Sequence, residues 1–324
     1  MHIAITGAAG FLGSKLARQL LAQGSLIGRS GRPETISRIT MVDIAAPAGF
    51  SDPRVKALVG DISDPDIIKS AITPDTHSIF HLAAIVSGHA ELDFDLGMTI
   101  NFDATRQILE RARALETRPR MVFTSSVAVF GGALPDTVPD TMSPIPQSSY
   151  GAQKAMGELL VNDFSRKGFI DGRVLRMPTI SVRPGAPNKA ASSFASGIIR
   201  EPLNGQEAIC PVAGSTRMWL MSPRQAIQNL IHGHDLNAER FEASRIVSLP
   251  GLSVTVREMV DALENVADSE TAQRIQWRED DAVKRIVNSW PGNFAATRAK
   301  ALGFTADTNF SDIILAYLQD DKAP

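Results

Sequence analysis

The amino-acid sequence predicts an α/β protein built on a doubly wound parallel sheet, with a smaller C-terminal domain. In the first half, short apolar runs alternate with helical patterns, as in parallel sheets covered by helices on both faces. A glycine-rich turn follows the first apolar run and opens a helix. Beyond residue 177, prolines, glycines and serines separate shorter elements. We therefore expect a main domain at residues 1–177, joined by residues 215–250, and a smaller, discontinuous domain at residues 178–324.

The bulk composition is that of an ordinary globular protein. The chain has 324 residues, 44% hydrophobic content and a formal net charge of −2, so it can bury a large core. Nothing in this composition favours nucleic acid or an anionic membrane as a partner, and we expect neither. Its one cysteine, Cys210, excludes an intrachain disulfide and a cysteine-based metal site. The sequence contains neither a leader pattern nor a run of about eighteen apolar residues, so we expect a cytoplasmic protein.

Each element of the fold follows from a local pattern. Short apolar runs predict strands at residues 1–5, 38–43, 54–59, 77–83, 119–125, 172–177, 218–221 and 245–249. Amphipathic runs predict helices at residues 11–23, 66–71, 94–115, 150–167, 223–232, 255–267, 295–302 and 311–318. Gly24 is a helix stop, and Thr255 with Glu258 has the spacing of a capping box.

The turn at residues 6–13 reads Thr-Gly-Ala-Ala-Gly-Phe-Leu-Gly and lies between a strand and a helix. In that order, backbone N–H groups and the positive helix end face an anion such as a pyrophosphate. Gly7 permits the tight turn, Gly10 the approach of the pyrophosphate, and Gly13 close packing of the helix on the sheet. An ordinary glycine-rich βα turn is the alternative. The predicted phosphate-binding residues are Gly7, Gly10, Phe11, Leu12 and Gly13.

Asp43 ends the second predicted strand, thirty residues after Gly13. The usual spacing of the ribose-binding acid is about twenty residues, and a loop insertion at residues 25–36 accounts for the difference. An Asp here accepts from a ribose 2′-OH and repels a 2′-phosphate, which favours NAD over NADP. Arg29 and Arg32 lie in the insertion and would partly offset that preference. A helix-cap Asp is the alternative.

Two further strand ends carry candidate ligand contacts. Asp61 and Ile62 follow the third predicted strand, where one would accept from the adenine amino group and the other pack on the ring. A turn Asp is an equally good interpretation. Leu82, Ala83 and Ala84 follow the fourth strand, where small side chains let the backbone approach a ligand.

The histidines give no metal site. His81 is expected to be a buried sheet residue rather than a ligand. His232 and His234 at a helix end are expected at the surface, because the sequence offers no third ligand.

Tyr150 and Lys154 are the second strong feature, since a spacing of four residues projects both from one helix face. A free tyrosine has a pKa of about 10, too high for a base near neutrality. A nearby ammonium and a cationic nicotinamide ring favour the phenolate, which can then exchange a proton with a substrate hydroxyl. The preceding strand ends in Thr124, Ser125 and Ser126, whose hydroxyls can orient the substrate oxygen. Alone, such a pair is common surface decoration; the dinucleotide turn favours catalysis.

Together, the turn at residues 6–13, Asp43, Asp61, the hydroxyls at 124–126 and the Tyr150/Lys154 pair resemble the extended short-chain dehydrogenase/reductase family. This family includes sugar-nucleotide epimerases and dehydratases. The resemblance implies a Rossmann NAD-binding domain, a smaller substrate-binding domain and a homodimer built on two long helices. It assigns Ser126, Tyr150 and Lys154 as the catalytic triad, with Ser125 as the alternative to Ser126. Lys154 would also hold the nicotinamide ribose. The further cofactor contacts expected are Asp61, Ile62, Leu82, Ala83, Ala84, Asn101 and Pro178.

Residues 176–185 and 188–205 resemble, more narrowly, dehydrogenases of this family that oxidise a four-carbon sugar acid. That resemblance implies NAD-dependent oxidation of a C2 hydroxyl to the 2-oxo acid. The carboxylate of such a substrate requires a fixed cation, ideally a bidentate arginine. The expected substrate-binding residues are Ser87, Ser126, Thr179, Arg183, Ser192 and Arg217; either arginine alone is equally well a surface or salt-bridge residue.

Other functions remain open. A UDP-sugar 4-epimerase would use the same catalytic residues, hold a diphosphate on the same arginines and keep its NAD bound. A dehydratase is disfavoured because Val127 and Ala128 stand where that group has an acidic pair. A non-catalytic NAD sensor is permitted by the fold, but such proteins commonly lose the tyrosine or the lysine, and both are retained here.

Overall fold

The structure is a computed structural model that describes residues 1–115, 117–187 and 189–322. Asn188, which opens the second of the narrower resemblance segments, lies outside the described residues. The strands are β1 His2–Thr6, β2 Ser25–Ile27, β3 Pro33–Thr35, β4 Arg38–Asp43, β5 Val55–Val59, β6 Thr76–His81, β7 Arg120–Ser126, β8 Asp171–Met177, β9 Thr179–Ile180, β10 Ala208–Cys210, β11 Arg217–Met221, β12 Ile246–Ser248, β13 Leu252–Thr255 and β14 Ile275–Trp277.

The helices are α1 Phe11–Gln23, α2 Pro65–Ala71, α3 Ser87–Leu92, α4 Phe94–Gly97, α5 Ala104–Ala114, α6 Ser149–Arg166, α7 Phe194–Leu203, α8 Pro223–Asp235, α9 Val256–Val266, α10 Ser269–Gln273, α11 Asp281–Val287, α12 Thr297–Ala301 and α13 Phe310–Asp320. A π-helical segment, Met98–Asp103, joins α4 to α5. Among the described residues, none of these helices has the length and apolarity needed to cross a membrane.

The central sheet has seven parallel strands in the order β12-β8-β7-β6-β1-β4-β5. The order reverses at β1, which pairs with β4 on one side and β6 on the other. The predicted doubly wound parallel sheet is therefore confirmed. Because all strands run the same way, the carboxyl ends of β1, β4, β6 and β7 meet at one edge, where such sheets bind ligands.

Most predicted elements are present within one or two residues of their expected bounds. Helix α1 spans the predicted residues and ends at Gly24, which has a left-handed φ of 71°. The predicted capping box at α9 is formed between Thr255 and Glu258. The predicted helix at residues 94–115 is interrupted by the π-helical segment. The segment at 25–36 is a β2–β3 hairpin rather than a loop, because Leu26 and Ile36 are buried in the core.

Some of the buried apolar residues of the C-terminal half form a cluster of their own around α7, α9 and α13, next to a small sheet of order β13-β11-β9, and others belong to the core of the central sheet. Residues 246–248 nevertheless supply β12 to the central sheet, and α8 packs on α1, β7 and β8. The expected division into two discontinuous domains stays a prediction.

Candidate active site

The glycine turn requires its glycines for steric reasons. Gly7 has φ +69°, and a Cβ there would lie 2.7 Å from the backbone nitrogen of Ala83, after β6. A Cβ on Gly13 would lie 2.3 Å from the carbonyl oxygen of Gly7. The turn and α1 are thus packed backbone against backbone, and the start of α1 lies at the carboxyl edge of the sheet.

Asp43, the acidic residue predicted to bind the ribose, contacts the glycine turn. One oxygen of Asp43, at the end of β4, accepts from the backbone N–H of Ala9 at 2.9 Å. Asp61 is exposed after β5 and accepts from the Ser63 backbone N–H at 2.8 Å, while Ile62 is buried in the core below it. Asp61 therefore has the turn geometry that the sequence offered as one of two interpretations.

The catalytic candidates meet in one cavity of about 210 Å³ at this edge. Tyr150 and Lys154 project from the first turns of α6, and Ser126 ends β7. The Lys154 ammonium is buried, donates to the Thr124 carbonyl at 2.9 Å and lies 5.8 Å from the centre of the Tyr150 ring. Predicted residues that also line this cavity are Phe11, Leu12, Leu82, Ala84, Ser87, Pro178, Thr179, Arg183 and Ser192.

The two adjacent serines of β7 are separated by their surroundings. The Ser126 hydroxyl interacts with the Tyr150 phenol and accepts from the Ala128 backbone N–H at 3.1 Å. The Ser125 hydroxyl donates to Glu158 at 2.5 Å inside the protein. This geometry favours Ser126 for contact with a substrate oxygen.

Burial dominates the acid–base properties of the pair. It raises the pKa of Tyr150 to about 12, and the Ser126 hydrogen bond and the Arg183 charge oppose that rise. Burial lowers the pKa of Lys154 to about 8, and the charge of Glu158 opposes that fall. Arg183 is thus a second cation close to the phenol, in addition to Lys154, to which the sequence pointed.

Arg183, which precedes α7, lines the same cavity. Burial lowers its pKa to about 10, with Arg200 adding to the effect and Tyr150 opposing it. Its guanidinium donates to the Ser192 hydroxyl at 3.2 Å. The Ser87 hydroxyl accepts from the Ala191 backbone N–H at 3.3 Å, so the segment before α7 is tied to α3.

Asn101 and Arg217, like Ala83, the predicted glycines of the turn and the predicted residues at the ends of β4 and β5, are not part of the cavity lining. Asn101 is buried in the π-helical segment, where its amide exchanges hydrogen bonds with the Ile85 backbone and donates to Gln153 at 2.7 Å. Arg217 is exposed, donates to Ser253 at 3.3 Å and lines a smaller neighbouring cavity.

The expectation for His81 is met, and the one for His234 is not. His81 is buried in the sheet between the Thr6 and Thr105 hydroxyls, as expected, and burial lowers its pKa to about 3. The surface position expected for His234 is wrong: its ring is fully buried and bonds to Ser78 and Asp235. The apolar contact with Phe80 explains that burial, since α8 packs on the sheet.

Sequence reasoning missed Trp290 and Glu158. Trp290 lines both the main and the neighbouring cavity, and its indole nitrogen is buried without a hydrogen-bond partner among the described residues. It follows α11 in an irregular segment, where no local pattern announces a site. Glu158 did have a signal, because it continues the four-residue spacing of Tyr150 and Lys154.

The residues present fit a bound dinucleotide. Helix α1 has a glycine, Gly10, as its N-cap, has no acidic residue in its first turn and receives no side-chain cap from the described part of the chain. Its first N–H groups are therefore left for an anion, in a turn whose close backbone packing a Cβ on Gly7 or Gly13 would disrupt.

Fold and site together define an NAD-dependent oxidoreductase of the extended short-chain dehydrogenase/reductase type. The model of the NAD dependent epimerase/dehydratase family matches residues 3–227, so the chain belongs to this family and uses NAD.

Relatives resemble the chain over its whole length. It is 55% identical to D-erythronate dehydrogenase from Cupriavidus necator over 320 residues, which cover 99% of this chain and 98% of the relative. It is 46% identical to D-erythronate dehydrogenase from Haemophilus influenzae, over 99% and 100% of the two chains. The crystal structure of the nucleoside-diphosphate-sugar epimerase from Agrobacterium tumefaciens, 46% identical, matches with a TM-score of 0.92 over 99% and 94% of the chains.

Proposed function

We propose that the protein oxidises the C2 hydroxyl of a small sugar acid of the D-erythronate type to the 2-oxo acid, with NAD as the oxidant. One observation carries the proposal: Tyr150 and Arg183 line the same cavity, so a proton acceptor and a carboxylate-binding cation serve one ligand. The volume of about 210 Å³ is below the roughly 300–1,000 Å³ of pockets for drug-sized ligands, which supports a small substrate. The two D-erythronate dehydrogenase relatives support the same class.

The chemistry divides between the cofactor and the chain. NAD, when bound, accepts the hydride that leaves C2. Arg183 binds the carboxylate through its guanidinium, which also donates to Ser192, and so fixes the direction of the C2 hydroxyl. The Tyr150 oxygen takes the hydroxyl proton, and Ser126 steadies the same oxygen as the C–O bond becomes C=O.

Because the pKa of Tyr150 is raised, the site needs a nearby positive charge before Tyr150 can act as a base. Without cofactor, a pKa of about 12 keeps the phenol protonated at neutral pH. Lys154, together with the positive charge that oxidised NAD would supply when bound, would lower this pKa and allow Tyr150 to take the proton. We therefore expect the phenolate to form mainly in the complex with oxidised cofactor.

The first prediction tests this proton transfer. Tyr150→Phe keeps the ring and removes the acceptor, so we expect kcat to fall by roughly 10²–10⁴-fold. The affinity for NAD, measured by calorimetry, should stay within about threefold of the wild type, because Lys154 and the glycine turn remain. Near-normal turnover in this variant would contradict the role of Tyr150.

The runner-up function is a nucleotide-sugar epimerase. Its support is the 46% identity to the Agrobacterium tumefaciens protein and a wider cleft of about 840 Å³ that adjoins the cavity at Ala190. A screen of C4 to C6 aldonic acids and UDP-sugars separates the two functions. A dehydrogenase accumulates NADH with an aldonic acid, whereas an epimerase interconverts UDP-sugars without net NADH.

The homodimer and the cytoplasmic location expected from the sequence stay predictions. Leu92, Phe94 and Leu159 on α3, α4 and α6 are 81%, 57% and 68% exposed. Large apolar side chains exposed on neighbouring helices support a partner surface there.

A further inference from the structure

A carboxylate lies directly behind the catalytic pair. Glu158 follows Lys154 by one helical turn on α6, so Tyr150, Lys154 and Glu158 are spaced at four-residue intervals along one face. Only 1% of Glu158 is exposed. A buried carboxylate is costly unless it is paired, so its surroundings decide what it does.

The carboxylate of Glu158 accepts three hydrogen bonds from two side chains. The Ser125 hydroxyl and the Arg176 Nε both donate to its Oε1, at 2.5 and 2.8 Å. The Arg176 Nη2 donates to Oε2 at 2.7 Å, which completes a bidentate pair. The Arg176 guanidinium in turn lies 4.7 Å from the centre of the Phe130 ring. The carboxylate is therefore fixed in orientation and cannot rotate towards solvent.

Lys154 precedes Glu158 by one helical turn on the same face of α6 and is buried as well. Its one hydrogen bond among the described residues goes to the Thr124 carbonyl, and the Phe123 ring lies 4.8 Å away. The titratable or charged groups around it are Tyr150 and Glu158 on α6, His81 on β6, and Arg176 on β8 beyond Glu158. His81 is neutral because burial lowers its pKa, which leaves Glu158 as the counter-charge.

We propose that Glu158, clamped by Ser125 and Arg176, is a positioning residue that keeps Lys154 in its ammonium form near neutral pH. This inference rests on the proposed function, because the charged lysine is what favours the Tyr150 phenolate. Burial lowers the Lys154 pKa to about 8, close to working pH, although the charge of Glu158 opposes that fall. Loss of the counter-charge would lower it further and so have a measurable effect. The positive charge of Arg176, which pairs with Glu158, partly offsets the effect of the carboxylate on Lys154.

The second prediction compares two variants that should shift the pH profile in opposite directions. Glu158→Gln preserves the shape and removes the negative charge, so the alkaline limb of the kcat/KM profile should move down by about one pH unit. Arg176→Met removes the positive charge that is paired with Glu158, so the full negative charge of Glu158 acts on Lys154. The alkaline limb should then move to higher pH. A purely structural cluster would lower turnover at all pH values in both variants.

A direct titration keeps this test independent of the substrate. NMR of lysine-labelled, NAD-free protein, with Lys154 assigned by Lys154→Met, should show its midpoint move down in Glu158→Gln and up in Arg176→Met. If Glu158→Gln leaves Arg176 unpaired and fails to fold, Glu158→Gln/Arg176→Met removes both charges and should show the downward shift. An unmoved midpoint in a folded variant overturns the proposal. Absence of aldonate turnover in the wild type would instead overturn the proposed function.

Discussion

At the residue scale, the site is assembled from neighbours that do different work. Ser125 and Ser126 are adjacent and chemically identical, yet successive strand residues face opposite sides, so one binds Glu158 and the other Tyr150. The residues alone predicted that a hydroxyl at the end of β7 contacts the substrate, and the family resemblance assigned Ser126 with Ser125 as the alternative. The side-chain directions in the structure favour the same serine, and residue type alone does not encode them.

The third prediction concerns Asp43 and the choice of cofactor. Its carboxylate accepts from the Ala9 N–H, so Asp43→Ala removes both a negative charge and a support of the glycine turn. We expect the ratio of NAD to NADP efficiency to fall by about tenfold or more, or about 1.4 kcal/mol.

Asp43→Asn is the matched control, because it keeps an oxygen acceptor for Ala9 and loses only the charge. It should relax the preference as much as Asp43→Ala while weakening NAD binding less. Steady-state kinetics with both cofactors measure the ratio. An unchanged ratio would move specificity to the β2–β3 hairpin, where Arg29 and Arg32 lie near its tip.

At the element scale, periodicity and caps predicted the long elements well. Helix α1, the capping box of α9 and the six predicted strands of the first half depend on local signals, and local signals are in the sequence. Strands β10 and β14 had no such signal: each has three residues, and they pair across a long stretch of chain. Their existence depends on tertiary packing, which overrides local propensity.

The fourth prediction concerns the contact between α1 and the glycine turn. A Cβ at Gly13 would lie 2.3 Å from the Gly7 oxygen and 2.7 Å from the Ala8 Cα, both backbone atoms that cannot swing aside. Gly13→Ala should therefore destabilise the protein by roughly 1–3 kcal/mol and weaken NAD binding, because the turn must shift. Urea unfolding and calorimetry measure the two effects.

Gly197→Ala provides the comparison within another helix. At Gly197 the nearest atom to a new Cβ is the flexible end of Glu201 at 3.5 Å, so alanine fits. This variant should be neutral or more stable by up to about 1 kcal/mol, from helix propensity. If both alanines behaved alike, close packing at Gly13 would not be what fixes the turn.

At the scale of the whole molecule, the C-terminal part is built into the sheet that carries the cofactor site. Strand β12 extends the sheet beyond β8, and the buried Arg173 of β8 donates to carbonyls at the end of α8, those of Gly233 and Leu236. Arg183 and Trp290 come to the cavity from the later half of the chain. The sequence predicted Arg183 by resemblance but not Trp290, because long-range packing decides which irregular segment covers the site.

The fifth prediction tests this integration at Arg298, on α12. Its guanidinium donates to three backbone carbonyls around β12, those of Phe241 at 2.6 Å, Ser244 at 2.7 Å and Ile246. Arg298→Met keeps much of the apolar stem and leaves half-buried carbonyls unpaired, so we expect a loss of roughly 2–4 kcal/mol of unfolding free energy. Lys300→Met, an exposed position on the same helix, should change stability by less than about 0.5 kcal/mol. In Arg298→Met, urea unfolding should show one cooperative transition at a lower urea midpoint. The reason is that Arg298 holds β12 in place, and when β12 detaches the edge of β8 is exposed, so the central sheet unfolds with it. Two separated transitions would mean instead that the C-terminal part unfolds independently of the sheet.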